Sequence, residues 1–201
     1  MNPRMVDRVA RWIRDQLRVP FVVVGGSAIE HRYEVGSKDV DLLIGVGDWD
    51  PLDRALEGRR DATPLEPTGG TIRGTEVTLG GSRVEVEFIS GQPFCGNLTP
   101  DDFVRYVRVH RSTKAGGVAY ADPSVVFYMR LGPGILDWEA NVYSIQRDLT
   151  AGVPLQTLDG AVAVGRHFGV GDVISERVRW TREKLKLFSP PRATVDPRLD
   201  S

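Results

Sequence analysis

Apolar residues at the start of the chain recur at helical spacing. Met5, Val9, Trp12, Ile13 and Leu17 fall on one face and arginines on the other, which predicts a helix over residues 4–18, ended by Pro20. FVVV (21–24) is a short β-branched run and reads as a buried strand. Gly25-Gly26-Ser27 turns the chain into a short helix, AIEHRY, and DVDLLIG (39–45) is a second strand. GDWDP is a turn with helix-start signals, and LDRALEG reads as helical.

The stretch PTGGTIRGTEVTLGGSRVEVEFISG alternates and is punctuated by glycine. It predicts strands at 71–79 and 83–89 joined at Gly80-Gly81. LTPDDF looks like a capped helical turn. VRYVRVHRSTKAGGVAYA reads as a hairpin with its turn at Lys114 to Gly117. From Asp122 the period becomes helical, with expected helices at 122–131, 137–150, 155–168 and 171–187. The expected architecture is α/β (α+β): a small mixed sheet in a core spanning residues 1–120, a helical part at 121–188, and a flexible polar tail at 189–201.

Composition narrows the class without choosing a function. A chain of 201 residues suits one medium domain or two small ones, with ample length for a core. The net charge of −1 excludes a strong overall pull toward nucleic acid or an anionic membrane, although a local basic patch stays open. Cys95 is the only cysteine, so no intrachain disulfide forms. The N-terminal stretch lacks the apolar core of a signal peptide, and no apolar run approaches the roughly 20 residues of a membrane span. The expectation is a soluble cytoplasmic protein.

The second strand holds the candidate chemistry. Residues two apart in a strand point the same way, so Asp39 and Asp41 project together while Val40 faces the opposite layer. Two adjacent carboxylates repel unless one is protonated or a cation lies between them. Hard oxygen ligands favour Mg²⁺ or Mn²⁺, which complete their shells with water and substrate phosphate. Gly25 and Gly26 lie between a strand and a helix, where a backbone without Cβ atoms lets a phosphate approach closely. Ser27 is expected to cap the helix or donate to the phosphate. A third acid on a neighbouring strand is offered by Glu85 or Glu87. Glu87 is favoured because an apolar pair and then a loop follow it, as at the working edge of a sheet.

Each feature alone has a plainer explanation. Paired acids decorate exposed strands, and Gly-Gly-Ser is often only a tight turn. Their conjunction, with an acidic third strand, is what points to a site.

The residues Val24-Gly25-Gly26, followed by Asp39-Val40-Asp41-Leu42, resemble the hallmark of the nucleotidyltransferase superfamily with its polymerase-beta-like fold. The longer run VVVGGSAIEH…SKDVDLLI, with VEFISGQPFCG and DPSVVFYMRL…DWEANVYSIQRDL further on, is similar to the small bacterial and archaeal branch that includes the abortive-infection nucleotidyltransferase toxins. The resemblance implies a metal-dependent enzyme that moves a nucleoside monophosphate from a nucleoside triphosphate such as ATP to a hydroxyl of tRNA, a protein or a small molecule. It also implies Asp39, Asp41 and Glu87 as metal ligands and catalytic groups, and Gly25, Gly26 and Ser27 at the phosphates. A cognate antitoxin is a further implied partner. Two departures stand out: the third acid is Glu rather than the commoner Asp, and Arg130 stands where toxin-like members carry Lys. Arg130 keeps a charge for the triphosphate, and Lys38 beside the acid pair is a second candidate. The alternatives are a catalytically silent relative that binds nucleotide or a partner protein, and a regulatory domain that binds phosphate without metal.

Other residues carry weaker signals. His31, His110 and His167 show no metal-ligand spacing. Arg32 is close to the acid pair in sequence. Arg105, Arg108, Arg111 and Lys114 form a basic strip, on an alternating strand more often a solvated face than an RNA contact. Arg147 and Asp148 share a predicted helix with Asp137 and Glu139 and are candidates to pair with one another. Trp12, Trp138 and Trp180 read as core residues, and Trp49 as a candidate for stacking on a base.

Overall fold

The computed structural model describes residues 3–33, 35–69 and 71–188. The tail expected at 189–201 lies outside the described residues. Helix α1 (Pro3–Gln16) buries Val6, Val9, Ala10 and Ile13. It stops short of Pro20: Arg18 takes a left-handed backbone with φ 57° and turns the chain toward strand β1 (Val22–Val23). Helix α2 (Gly25–Tyr33) begins on the glycine pair itself rather than after it. Strand β2 (Val40–Ile44) follows, then a 3₁₀ turn at Val46–Asp48 and helix α3 (Trp49–Leu56).

Strands β3 (Glu66–Gly69), β4 (Ile72–Leu79) and β5 (Ser82–Ser90) form a meander. The expected strands at 71–79 and 83–89 are β4 and β5. Strand β3 was not expected, because EPTG has no apolar alternation to announce it.

Residues 104–110 are helical, against the expected hairpin strand. Helix α4 (Pro100–His110) starts at a capping box: the Thr99 hydroxyl accepts from the Asp102 N–H, the Asp102 carboxylate accepts from the Thr99 N–H, and Pro100 occupies the first turn. Phe103, Val104 and Val107 are buried at helical spacing, and the alternation of Val, Tyr and Arg that suggested a strand is exposed or half-buried around them. The hairpin is shorter: strands β6 (Ser112–Ala115) and β7 (Val118–Ala121) turn at Gly116-Gly117.

The sheet is mixed and seven-stranded, in the order β3-β4-β5-β2-β1-β7-β6. Strand β2 runs parallel to β5 and antiparallel to β1, and β1 runs parallel to β7. Among the described residues four α-helices follow: α5 (Pro123–Leu131), α6 (Asn141–Thr150), α7 (Thr157–His167) and α8 (Gly171–Phe188). The expected helix at 137–150 divides into a 3₁₀ turn, Trp138–Ala140, and α6. Helix α5 buries Val125, Val126, Phe127, Tyr128, Met129 and Leu131, and it packs against α2 and α7. This brings the end of α5 toward the glycine pair. No helix of the described residues is long and apolar enough to cross a membrane.

Candidate active site

The acid pair sits where two parallel strands meet. Val40, Leu42, Leu43 and Ile44 of β2 are buried, whereas Asp41 among them is half-buried. In the parallel register Asp41 lies beside Glu87 of β5. Glu87 is half-buried, while Glu85, two residues earlier, is exposed. Asp39, Asp41 and Glu87 each offer a carboxylate oxygen within 4.8 Å of the others. Among the described residues no other group of three acids, histidines or cysteines comes this close.

Hydroxyl groups fix the approach to β2. Ser27 of α2 is fully buried, and its hydroxyl donates to the Asp39 carbonyl at 2.7 Å. The Ser37 hydroxyl donates to the same carbonyl at 2.9 Å. The Ser37 N–H in turn donates to the carboxylate of Glu30, which is buried in α2. Ser27, expected at the phosphates, is therefore committed to holding the chain at Asp39. Buried hydroxyls need partners, and these two find theirs on the backbone that aims the acids.

The glycine pair is built around Asp41. The Val24 N–H donates to the Asp41 carbonyl at 2.9 Å, joining the end of β1 to the start of β2. Gly25 has φ +58°, and a Cβ there would lie 1.9 Å from Asp41 Oδ2. The Gly26 N–H donates to the Asp41 carboxylate. An anionic group at the first N–H of a helix is favoured by the unpaired donors and the helix dipole.

The carboxylates strain against one another electrostatically. Burial pushes the Asp41 carboxyl up to about 7, the facing charges of Asp39 and Glu87 add to this, and Arg130 and the Gly26 N–H oppose it. Glu87 is also raised, by burial first and then by Asp39 and Glu85. Three carboxylates at this spacing lack a compensating cation among themselves, and a divalent ion is the group that would relieve them.

The remaining candidates are distributed unevenly. Arg130, at the end of α5, is 13% exposed and donates to Asp148 of α6, whose carboxylate is fully buried. Its positive charge is felt at Asp41. Lys38 is exposed on the turn into β2. Arg32 donates to Thr113 of β6 at 3.1 Å, and His31 pairs with Asp7 and stacks on Tyr120, so both are engaged away from the acids. Trp49 carries the Arg73 guanidinium over its ring at 4.8 Å, so one face is already covered. Trp12, Trp138 and Trp180 are half-buried rather than core. The basic strip is split: Arg105 pairs with Asp102 on α4, and Arg111 donates to Tyr106.

Arg147 gains an importance that its spacing does not reveal. Arg147 donates through Nε and Nη2 to Asp148 Oδ1, both at 3.1 Å, and its Nη2 lies 3.9 Å from the position of a Cβ on Gly26. The pairing of Arg147 with Asp148 was legible, but its place over the glycine turn exists only once α6 packs on α5. A cavity of about 580 Å³ lies elsewhere, around Arg14, Phe21, Arg108, Lys114 and Val118 at the start of β1 and β7. The acids sit at the end of β1, where the conjunction of carboxylates, glycines and arginines is a stronger chemical signal than cavity size.

No family profile matches the sequence, and no curated protein matches it. Among solved structures, a protein from H. pylori described as a candidate nucleotidyltransferase is similar over 94% of this chain and 97% of its own, at 9% identity and a TM-score of 0.41. ANT(2″)-Ia, solved in complex with adenylyl-2″-tobramycin, is similar over 92% of this chain and 98% of its own, at 13% identity and the same TM-score of 0.41.

Proposed function

We propose that this protein is a metal-dependent nucleotidyltransferase. It would move a nucleoside monophosphate from a nucleoside triphosphate to a hydroxyl acceptor, with pyrophosphate as the leaving group. The observation that carries the reading is the acid cluster of Asp39, Asp41 and Glu87 built against the glycine pair.

The donor set fits a divalent ion. It is all carboxylate, it spans two adjacent strands, and burial together with the facing charges raises the proton affinity of Asp41 and of Glu87. Asp39, Asp41 and Glu87 are the residues that would hold Mg²⁺ or Mn²⁺. When bound, such an ion neutralises charge on the phosphates and lowers the proton affinity of an attacking hydroxyl. The protein's own residues do the rest. Gly25 leaves room for the Asp41 carboxylate, and the backbone of Gly25 and Gly26 at the start of α2 would face the phosphates. Ser27 and Ser37 hold the Asp39 backbone so that the acids keep their aim. A carboxylate of the cluster, Glu87 in this reading, accepts the proton of the acceptor hydroxyl.

The acceptor class is RNA, a protein side chain or a small molecule, and the sequence resemblance favours the first two in a toxin-like, cytoplasmic setting with a cognate antitoxin. The test is incubation with each labelled triphosphate, Mg²⁺ or Mn²⁺, and total RNA or protein. Label should transfer with the intact protein and fail with Asp41→Asn. Equal transfer by Asp41→Asn would overturn the reading.

A further inference from the structure

Helix α6 ends in a charge cluster that lies over the glycine turn. Asp148 is fully buried yet takes two guanidinium groups, one on each carboxylate oxygen: Arg130 on Oδ2, and Arg147 on Oδ1 through two N–H groups at 3.1 Å. The cluster therefore holds one positive charge in excess. The two arginines differ in access. The Arg130 side chain is 13% exposed, whereas that of Arg147 is 49% exposed. Arg130 is also fixed from behind, since Asn141 donates to its carbonyl at 2.9 Å.

Position separates them as well. Arg147 Nη2 lies 3.9 Å from the point where a Cβ on Gly26 would stand, and Asp41 Oδ2 lies 1.9 Å from the equivalent point on Gly25. The glycine pair is thus a floor with Asp41 over one residue and, over the next, the Ser37 hydroxyl at 3.1 Å from the Cβ point with Arg147 beside it. A polyphosphate that meets a divalent ion at the acids and crosses this floor reaches the Arg147 fork. A guanidinium presents five N–H donors, and Asp148 engages two of them while locking the rotamer.

We propose that Arg147 is the residue that contacts the triphosphate, that Asp148 is its positioning residue, and that Arg130 acts from behind through charge and packing. This rests on the nucleotidyltransferase reading of the acid site and moves the phosphate-binding role from Arg130, where the sequence placed it, to Arg147.

The test compares Arg147→Ala and Arg147→Lys with the unaltered protein. Mg²⁺–ATP affinity is measured by calorimetry, and Mn²⁺ affinity without nucleotide is measured by electron paramagnetic resonance. Loss of a charge-assisted contact corresponds to a weakening of about tenfold or more in Mg²⁺–ATP affinity for Arg147→Ala. Mn²⁺ affinity should stay within about twofold, because the three acids are untouched. Arg147→Lys keeps the charge but not the fork, so its ATP affinity should fall between the two. If Arg147→Ala does not fold, Arg147→Lys carries the test by the same two measurements. Unchanged ATP affinity would overturn the proposal for Arg147 alone. Parallel loss of Mn²⁺ and ATP would also overturn it, by showing that Arg147 serves the acid cluster. Failure of the unaltered protein to bind Mg²⁺–ATP would overturn both this proposal and the reading on which it rests.

Discussion

Asp41 Oδ2 occupies the space that a side chain on Gly25 would fill, 1.9 Å from the ideal Cβ position. The glycine and the acid are therefore one device: the turn that opens α2 exists in this shape only around that carboxylate. Gly25→Ala should fail twice, because φ +58° is strained for alanine and its methyl group displaces Asp41. A stability loss of about 1–3 kcal/mol is expected in denaturant unfolding. Displacing a catalytic group by about 1 Å should cost roughly 100-fold in transfer rate. A variant with unaltered metal affinity and rate would show that the contact is incidental.

Asp41 should make the metal-free protein pH-sensitive. Its carboxyl ordinarily titrates near 3.8 and in the folded protein is pushed up to about 7, chiefly by burial. The folded state thus binds more protons than the unfolded state across that window, so stability falls as pH rises through it and levels off above about 7. Asp41→Asn removes the effect, and its melting temperature should gain on that of the unaltered protein progressively from pH 4 to pH 7. Metal affinity has the opposite slope: it should climb with pH up to about 7, with proton release on binding, because the ligands must be ionised. Calorimetry in two buffers of different ionisation enthalpy measures that release.

The buried carboxylate of Asp148 compensates two arginines, Arg130 and Arg147. Asp148→Ala leaves Arg130 largely buried without its partner, and breaking such a pair typically costs about 3–5 kcal/mol. Urea unfolding should show that loss. A change below about 1 kcal/mol would mean that water replaces the carboxylate.

Ser27→Ala removes the hydroxyl that donates to the Asp39 carbonyl at 2.7 Å, while the Ser37 hydroxyl at 2.9 Å remains. With one of two donors left, the cost should be modest, about 1 kcal/mol in stability, with weaker Mn²⁺ binding as the approach to Asp39 loosens. If Ser27 served the phosphates instead, ATP affinity would fall with no change in Mn²⁺ affinity.

Local chemistry was legible in the chain, and long-range placement was not. Asp39, Asp41, Gly25 and Gly26 announce themselves because they lie within one turn and one strand of each other. Glu85 and Glu87 share a face of β5; the apolar pair and loop after Glu87 favoured it, and the β2–β5 register sets Glu87 beside Asp41. The reading of 104–110 as a strand followed from alternating Val, Tyr and Arg, and it lost to the Thr99–Asp102 capping box and the burial of Phe103, Val104 and Val107. Ser27 looked available because a serine at a helix start often caps or binds anions, but nothing local shows that α2 buries it. Arg147 could not be placed over Gly26 from spacing, since they are 121 positions apart and the elements that carry them must pack first.

The most direct test is thermal stabilisation by metal and nucleotide. The unaltered protein should gain melting temperature with Mg²⁺ and a nucleoside triphosphate together, more than with either alone, and the Asp39→Asn/Asp41→Asn double variant should show no such gain. A gain that survives the double variant, or nucleotide binding indifferent to a chelator, would contradict the metal-dependent site.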